Sequence, residues 1–304
     1  MRTYILSRLL QLVVVMLGIS MITFVLTYVL GDPLSVLLPL DAPREQREVY
    51  RHQLGLDQPL PLQYLRFAAG AAHGDFGDSF LMKRPAVALV LERFPATLQL
   101  ALAGMGFALA ISLPLGTLAA YRRRSAIDSL CTVLAVAGQA VPIYWLGLML
   151  IILFAVQLRM LPASGYGKPD NFVLPTIALG AFLAPITMRL VRSSMIDVLT
   201  QDYIRTARMK GLSGAGVLVK HAAKNAALPV LSVLGLQFGQ LLGGAVVTET
   251  TFSWPGVASF TVDSISNADY PVVQAAVVML AALISVVNLG VDLLLGALDP
   301  RIRP

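Results

Sequence analysis

The chain has 304 residues, 57% of them hydrophobic and 13% charged, with a net charge of +6 and a mean hydropathy of +0.74. A soluble domain carries about 25% charged residues, so this composition points to a bilayer, where a helix needs about 20 apolar residues to cross. The basic excess does not point to nucleic acid, because the positive residues sit in short segments beside apolar runs.

The N-terminus opens with Arg2 and Arg8 before an apolar run over Leu9–Leu30. That run is too long for a signal-peptide core and no small-residue cleavage site follows, so it is expected to remain as a first membrane helix. Five more apolar segments follow, over Leu98–Tyr121, Leu130–Leu158, Phe172–Leu190, Leu228–Val247 and Val272–Leu295. Pro114, Pro142 and Pro185 interrupt the second, third and fourth, where kinks are expected. The predicted fold class is therefore an all-α integral membrane protein with six transmembrane helices and one membrane domain over residues 1–304.

Charge orients the spans. With both termini in the cytoplasm, the inside segments hold 14 Lys or Arg, among them Arg122–Arg124, the run from Arg189 to Lys224, and Arg301 and Arg303. The two short outside loops hold only Arg159 and Lys168, as the positive-inside rule requires. The long first loop, about residues 31–96, holds seven basic and eight acidic residues, and long loops translocate regardless of charge. Within it a short helix is expected from Asp41, with Pro43 in its first turn. DQPLPLQY is expected as a turn with extended backbone, and HGDFGDSF as a loop. Such a subdomain fits a cap over the outer mouth and a passive connector equally.

The single cysteine, Cys131, lies in an apolar segment, and His52, His73 and His221 are scattered, so neither an intrachain disulfide nor a metal site is expected. No G-x-x-x-x-G-K-[ST] motif occurs, and no nucleophile–base or paired-carboxylate constellation is suggested, so the chain is expected to hold no cofactor and to catalyse nothing by itself.

The loop over about 193–227 departs from the apolar pattern. From Asp202 to Val230 it carries five Lys or Arg and, after Asp202, no acid. Asp202 can cap a helix over YIRTARMK, Gly211 can end it, SGAG reads as a turn, and VLVKHAAKNAALP resumes as helix into the fifth span. A simple reading is that these cations hold the loop at anionic lipid. In the fifth span Gly235, Gly239 and Gly243 recur every four residues, a stripe suited to close helix packing, with Gln237 and Gln240 roughly opposite. Those glutamines, with Gln139, are candidates for a translocation path, against the plainer reading that they hydrogen-bond neighbouring helices. Asn288 and Asp292 share a face near the inner end of the last span, where a structural link to a basic loop is expected in preference to a substrate site. Trp145 and Trp254 suit membrane-interface anchors.

The basic segment DYIRTARMKGL, followed by HAAKNAALP, resembles the cytoplasmic loop of ABC-importer permeases of the dipeptide/oligopeptide/nickel branch. LGLDQPLPLQYL, GDFGDSF, RFPATLQLALAG, VPIYWLGLMLIILFA, LPASGYG, ETTFSWPG, DYPVVQAAVVM and NLGVDLLLGALDPRIR resemble that branch in order, and the long first loop resembles its B-type subunit. Arg205 and Thr206 stand where the wider importer pattern has glutamate and alanine, while Ala207 and Gly211 match it. The resemblance implies a permease in a bacterial cytoplasmic (inner) membrane, pairing with a C-type permease subunit. Its further partners would be two ATPase subunits that bind ATP and Mg, and an extracytoplasmic substrate-binding protein. It implies a coupling helix in which Asp202, Tyr203, Arg205, Thr206, Ala207, Arg208, Lys210 and Gly211 meet the ATPase. On that reading Ala207→Arg or Gly211→Pro uncouples hydrolysis from transport in a folded permease. Short peptides are the implied cargo, with nickel chelates, glutathione or haem as alternatives. An ion-coupled secondary transporter is the rival of another class, disfavoured because no acid sits at a span centre.

Overall fold

The structure, a computed structural model, describes residues 2–30, 34, 38–39, 42–53 and 55–298. Asp41, Arg301 and Arg303 lie outside the described residues. In chain order the main helices are α1 (Arg2–Leu30), α2 (Arg44–Gln53), α3 (Leu60–Ala72), α4 (Ala86–Tyr121), α5 (Ala126–Ala140), α6 (Ile143–Leu150), α7 (Pro169–Leu199), α8 (Asp202–Met209), α9 (Ala223–Thr251), α10 (Val257–Ser266) and α11 (Tyr270–Leu298). π-helical turns extend α6 over Ile151–Gln157 and lead into α9 over Val217–Ala222. Among the described residues, β pairing is limited to an isolated antiparallel bridge between Asp78 and Pro85.

Five helices are long and apolar enough to cross a membrane, and α5 with α6 makes a sixth if that bent pair is one span. The expected third span is thus not a single rod: it turns by 96° between Ala140 and Ile143. Pro142 lacks an N–H, and its ring drives Val141 out of the helical region, to φ −82° and ψ 120°. Pro114, Pro185 and Pro229, by contrast, lie inside helices that continue through them.

The chain divides into two compact units. One comprises Arg2–Thr97 and Pro255–Ser285. In it α1 is apolar outward and polar inward: Leu10, Val14 and Ile22 are exposed while Ser20, Thr23 and Thr27 are buried. This inversion of the soluble pattern suits a helix solvated by lipid. Phe24 of α1 stacks on Phe67 at 5.7 Å and meets Tyr64 edge-on at 5.5 Å, both on α3. Residues 60–64, expected as extended, are the start of α3: Pro59 and Pro61 flank its first turn, where a missing N–H deprives the helix of nothing. Pro43 likewise precedes α2, accepting from Arg47 N at 3.1 Å.

HGDFGDSF is a loop, as expected, with Gly74 and Gly77 at φ +78° and +82°. Its anchor comes from far along the chain. Asp269, buried at the start of α11, accepts from the Ser79 hydroxyl and from Phe80 N at 2.9 Å. Asp269→Asn removes the charge from both bonds and turns an NH2 toward a donor, so a loss of about 1.5–3 kcal/mol is expected. A lower melting temperature in detergent and faster proteolysis within residues 74–85 would register it.

The other unit comprises Leu98–Trp254 and the chain from Val286. Helix α7 is its centre, packed against α5, α6 and α9. Helix α4 crosses α7 at backbone contact: a Cβ on Gly180 would lie 2.7 Å from the Gly104 carbonyl oxygen, and one on Gly116 2.7 Å from that of Met188. Trp254, expected at an interface, is instead fully buried, edge-on to Tyr166 at 4.9 Å and Phe172 at 4.6 Å, whereas Trp145 is exposed.

Candidate functional site

The basic segment folds as the sequence suggests in outline and differs in detail. DYIRTARM forms α8, but its N-cap is Gln201, with Asp202 as first helical residue. Gly211, at φ +82°, turns the chain out of the helix and donates to the Arg208 carbonyl at 3.0 Å. SGAG is not a free turn. Ser213 caps the next helix, accepting from Gly216 N at 3.2 Å, and Gly214–Gly216 are its first turn.

Ile204 and Ala207, three residues apart and so on one face, are buried among Ala120, Val191, Met195, Val217, Ala222 and Ala226. Ala207 therefore faces the interior of its own chain, and its smallness lets α8 lie close to α7 and to the turns that lead into α9. The remaining candidates are outside. Asp202, Tyr203, Arg205, Thr206, Arg208, Lys210 and Gly211 are all exposed. At 100° per residue, Met209 lies about 140° from Ile204, opposite the anchored face, and it is 80% exposed. Arg205 and Asp202 pair loosely at 3.7 Å. Asn225 Nδ2 donates to the Tyr203 hydroxyl at 2.9 Å, tying α8 to α9. The result is a short helix fixed on one side, with an apolar knob ringed by Arg205, Arg208 and Lys210 on the other. Met209 is the residue the sequence reading passed over; its position opposite Ile204 on a helical wheel was the available signal.

The polar candidates differ in burial. Gln237 is 2% exposed, and its Oε1 accepts from Thr187 Oγ1 of α7 at 3.1 Å, so it bonds a neighbouring helix. Gln240 and Gln139 are exposed. The glycine stripe runs from a close helix contact to open space. A Cβ on Gly235 would collide with Asn288 Oδ1, Gly239 is half-buried, and Gly243 faces open space. Asn288 of α11 thus lies against Gly235 of α9. Between α5 and α7, Asp128 accepts from Arg192 Nε at 2.6 Å and Nη2 at 2.9 Å, and from Arg124 N at 2.9 Å. No group of His, Cys, Asp and Glu able to hold a metal occurs among the described residues.

Comparison with known proteins places this architecture. Residues 112–304 match the family described as binding-protein-dependent transport system inner membrane component, and residues 1–101 match its N-terminal counterpart. The chain belongs to that family. The permease is 40% identical to the dipeptide transport system permease protein DppB of Escherichia coli K12, over 100% of this chain and 99% of the relative. It is also 40% identical to the glutathione transport system permease protein GsiC of the same strain, again over 100% and 99%. Among solved structures, the inward-facing MetNI methionine ABC transporter matches with a TM-score of 0.58 at 15% identity, covering 69% of this chain and 96% of that one. An amino acid ABC transporter with histidines matches with a TM-score of 0.50 at 16% identity, covering 71% and 94%. These two show the fold. The protein is thus a multi-pass inner-membrane permease of the ABC-importer type.

Proposed function

We propose that this permease forms half of an ATP-driven path for short peptides. The second half comes from a C-type permease, and an extracytoplasmic binding protein delivers the cargo. Two ATPase subunits, which hold ATP and Mg, drive alternating access through α8. The observation that carries the reading is α8 itself: anchored by Ile204 and Ala207, it presents the exposed Met209 among basic residues. A helix meant only to lie on anionic lipid has no need of so rigid a seat. A helix that transmits force does, because displacement of its outer face must move α7 and α9 with it. Orientation follows from the excess of Lys and Arg, with both termini and α8 cytoplasmic. Peptide cargo is supported by the relatives' names, since a dipeptide and glutathione are both short peptides. Gln139, Gln237 and Gln240 are the glutamines assigned to the path, Gln237 with its Oε1 held by Thr187 and its Nε2 without a partner among the described residues.

Gentle purification from native membranes tests this. A second six-span permease and ATPase chains are expected in the preparation by mass spectrometry. Its ATP hydrolysis is expected to rise when peptide-loaded binding protein is added. A permease that emerges alone after mild detergent and cross-linking, and carries solute on an ion gradient, refutes the reading.

A further inference from the structure

The unit formed by Arg2–Thr97 and Pro255–Ser285 carries an open cleft of about 710 Å³, along which Gln53, Arg66, Asp78 and Lys83 are exposed. That is within the range of small-ligand pockets, about 300–1,000 Å³. Its wall has two kinds of surface. Phe67 and Phe76, edge-to-face at 5.9 Å, supply an aromatic floor. Arg66, Lys83 and Asp78 supply charge of both signs. Nearby, Arg84 is paired with Glu92. Asp75, also on the wall, has one carboxylate oxygen held by Gly77 N at 2.9 Å. Among the described residues no side-chain hydrogen bond or ion pair engages Arg66, Lys83 or Asp78. Gln53, on the same wall, is likewise unengaged. Lys83 is held at φ +53°, where glycine is favoured.

We propose that this cleft is a vestibular site for the two charged ends of a short peptide. Arg66 and Lys83 receive the carboxylate, Asp78 receives the ammonium, Gln53 bonds the peptide amide, and the Phe67–Phe76 floor carries the side chain. Free cations and a free anion within one pocket match a zwitterion better than a purely anionic or purely apolar solute. The site rests on the peptide reading above and deepens it, giving the permease a contact with cargo of its own, apart from the binding protein.

The test uses the assembled importer in lipid nanodiscs without its binding protein. The probe is alanyl-p-benzoylphenylalanine, with its N-acetyl and C-amide forms. Irradiation is expected to label residues 50–83 or 270–274, with competition by alanyl-phenylalanine. Arg66→Gln is expected to weaken labelling by the free dipeptide about five- to tenfold, and labelling by the C-amide hardly at all. Asp78→Asn is expected to act on the free dipeptide and not on the N-acetyl form. That pairing of variant with derivative distinguishes binding from damage to the fold. Labelling outside these segments, equal affinity in both variants, or cross-links from this wall to the binding protein with no peptide label overturns the site. If ATP-driven peptide uptake nevertheless persists, the importer reading stands without it. A wild-type importer that moves another solute and no peptide removes both.

Discussion

Asp128→Ala is expected to destabilise the permease by about 3 kcal/mol or more, the usual effect of removing one partner from a buried, hydrogen-bonded ion pair. Asp128 is 5% exposed and holds three donors, the fork of Arg192 and the backbone N–H of Arg124. Its loss frees the start of α5 from α7 and leaves the Arg192 guanidinium, with 30% side-chain exposure, only partly hydrated. The Arg122–Arg124 turn loosens as well, because Arg124 sits at φ +63° and Asp128 receives its N–H. Asp128→Asn keeps an acceptor for Arg124 and is expected to lose less. Asp128→Ala with Arg192→Leu is expected to recover part of the stability, since no charge is then stranded. Melting temperature in detergent and yield of the assembled complex measure all three. An unchanged melting temperature in Asp128→Ala would show that the pair contributes only at the surface level of about 0–1 kcal/mol.

That pair also shows what a sequence withholds. Asp128 and Arg192 are 64 residues apart, and neither has a local pattern that names the other. Long apolar runs are different. A bilayer demands them of each helix separately, so Leu9–Leu30 and Val272–Leu295 fall inside α1 and α11. Proline is intermediate. Pro185 and Pro142 look alike in sequence, yet one lies within α7 and the other ends α5, because neighbouring packing decides whether the freed carbonyls are re-satisfied. Glycine follows the same logic. The regular stripe at Gly235, Gly239 and Gly243 is conspicuous on paper, while the backbone-close crossing uses Gly104, Gly116 and Gly180, whose importance depends on which helix lies opposite. In the candidate site, the helix and its terminal Gly211 were legible from local chemistry. That Ala207 points inward was not, since its neighbours come from residues 120, 191, 195 and 217 onward.

This inward orientation changes which substitution probes coupling. Ala207→Arg forces a long cation into the cluster around Val191 and Met195, so the expected result is a misfolded loop and no assembled permease. Gly211→Pro fails similarly, because proline cannot adopt φ +82° and has no N–H for the Arg208 carbonyl. Met209→Asp leaves the anchored face alone. A buried apolar anchor at an interface is worth about 2 kcal/mol or more when removed, roughly thirtyfold in docking affinity, and a carboxylate in its place adds a desolvation penalty. ATP-driven peptide uptake by vesicles containing the importer is therefore expected to fall at least about thirtyfold, with the variant's melting temperature unchanged. The ATPase chains are expected to be lost at lower salt than from wild type. Met209→Leu, which keeps volume and apolarity, is expected to transport normally. Wild-type uptake by Met209→Asp would mean that the knob meets nothing during transport, and the basic ring of Arg205, Arg208 and Lys210 would revert to a lipid contact.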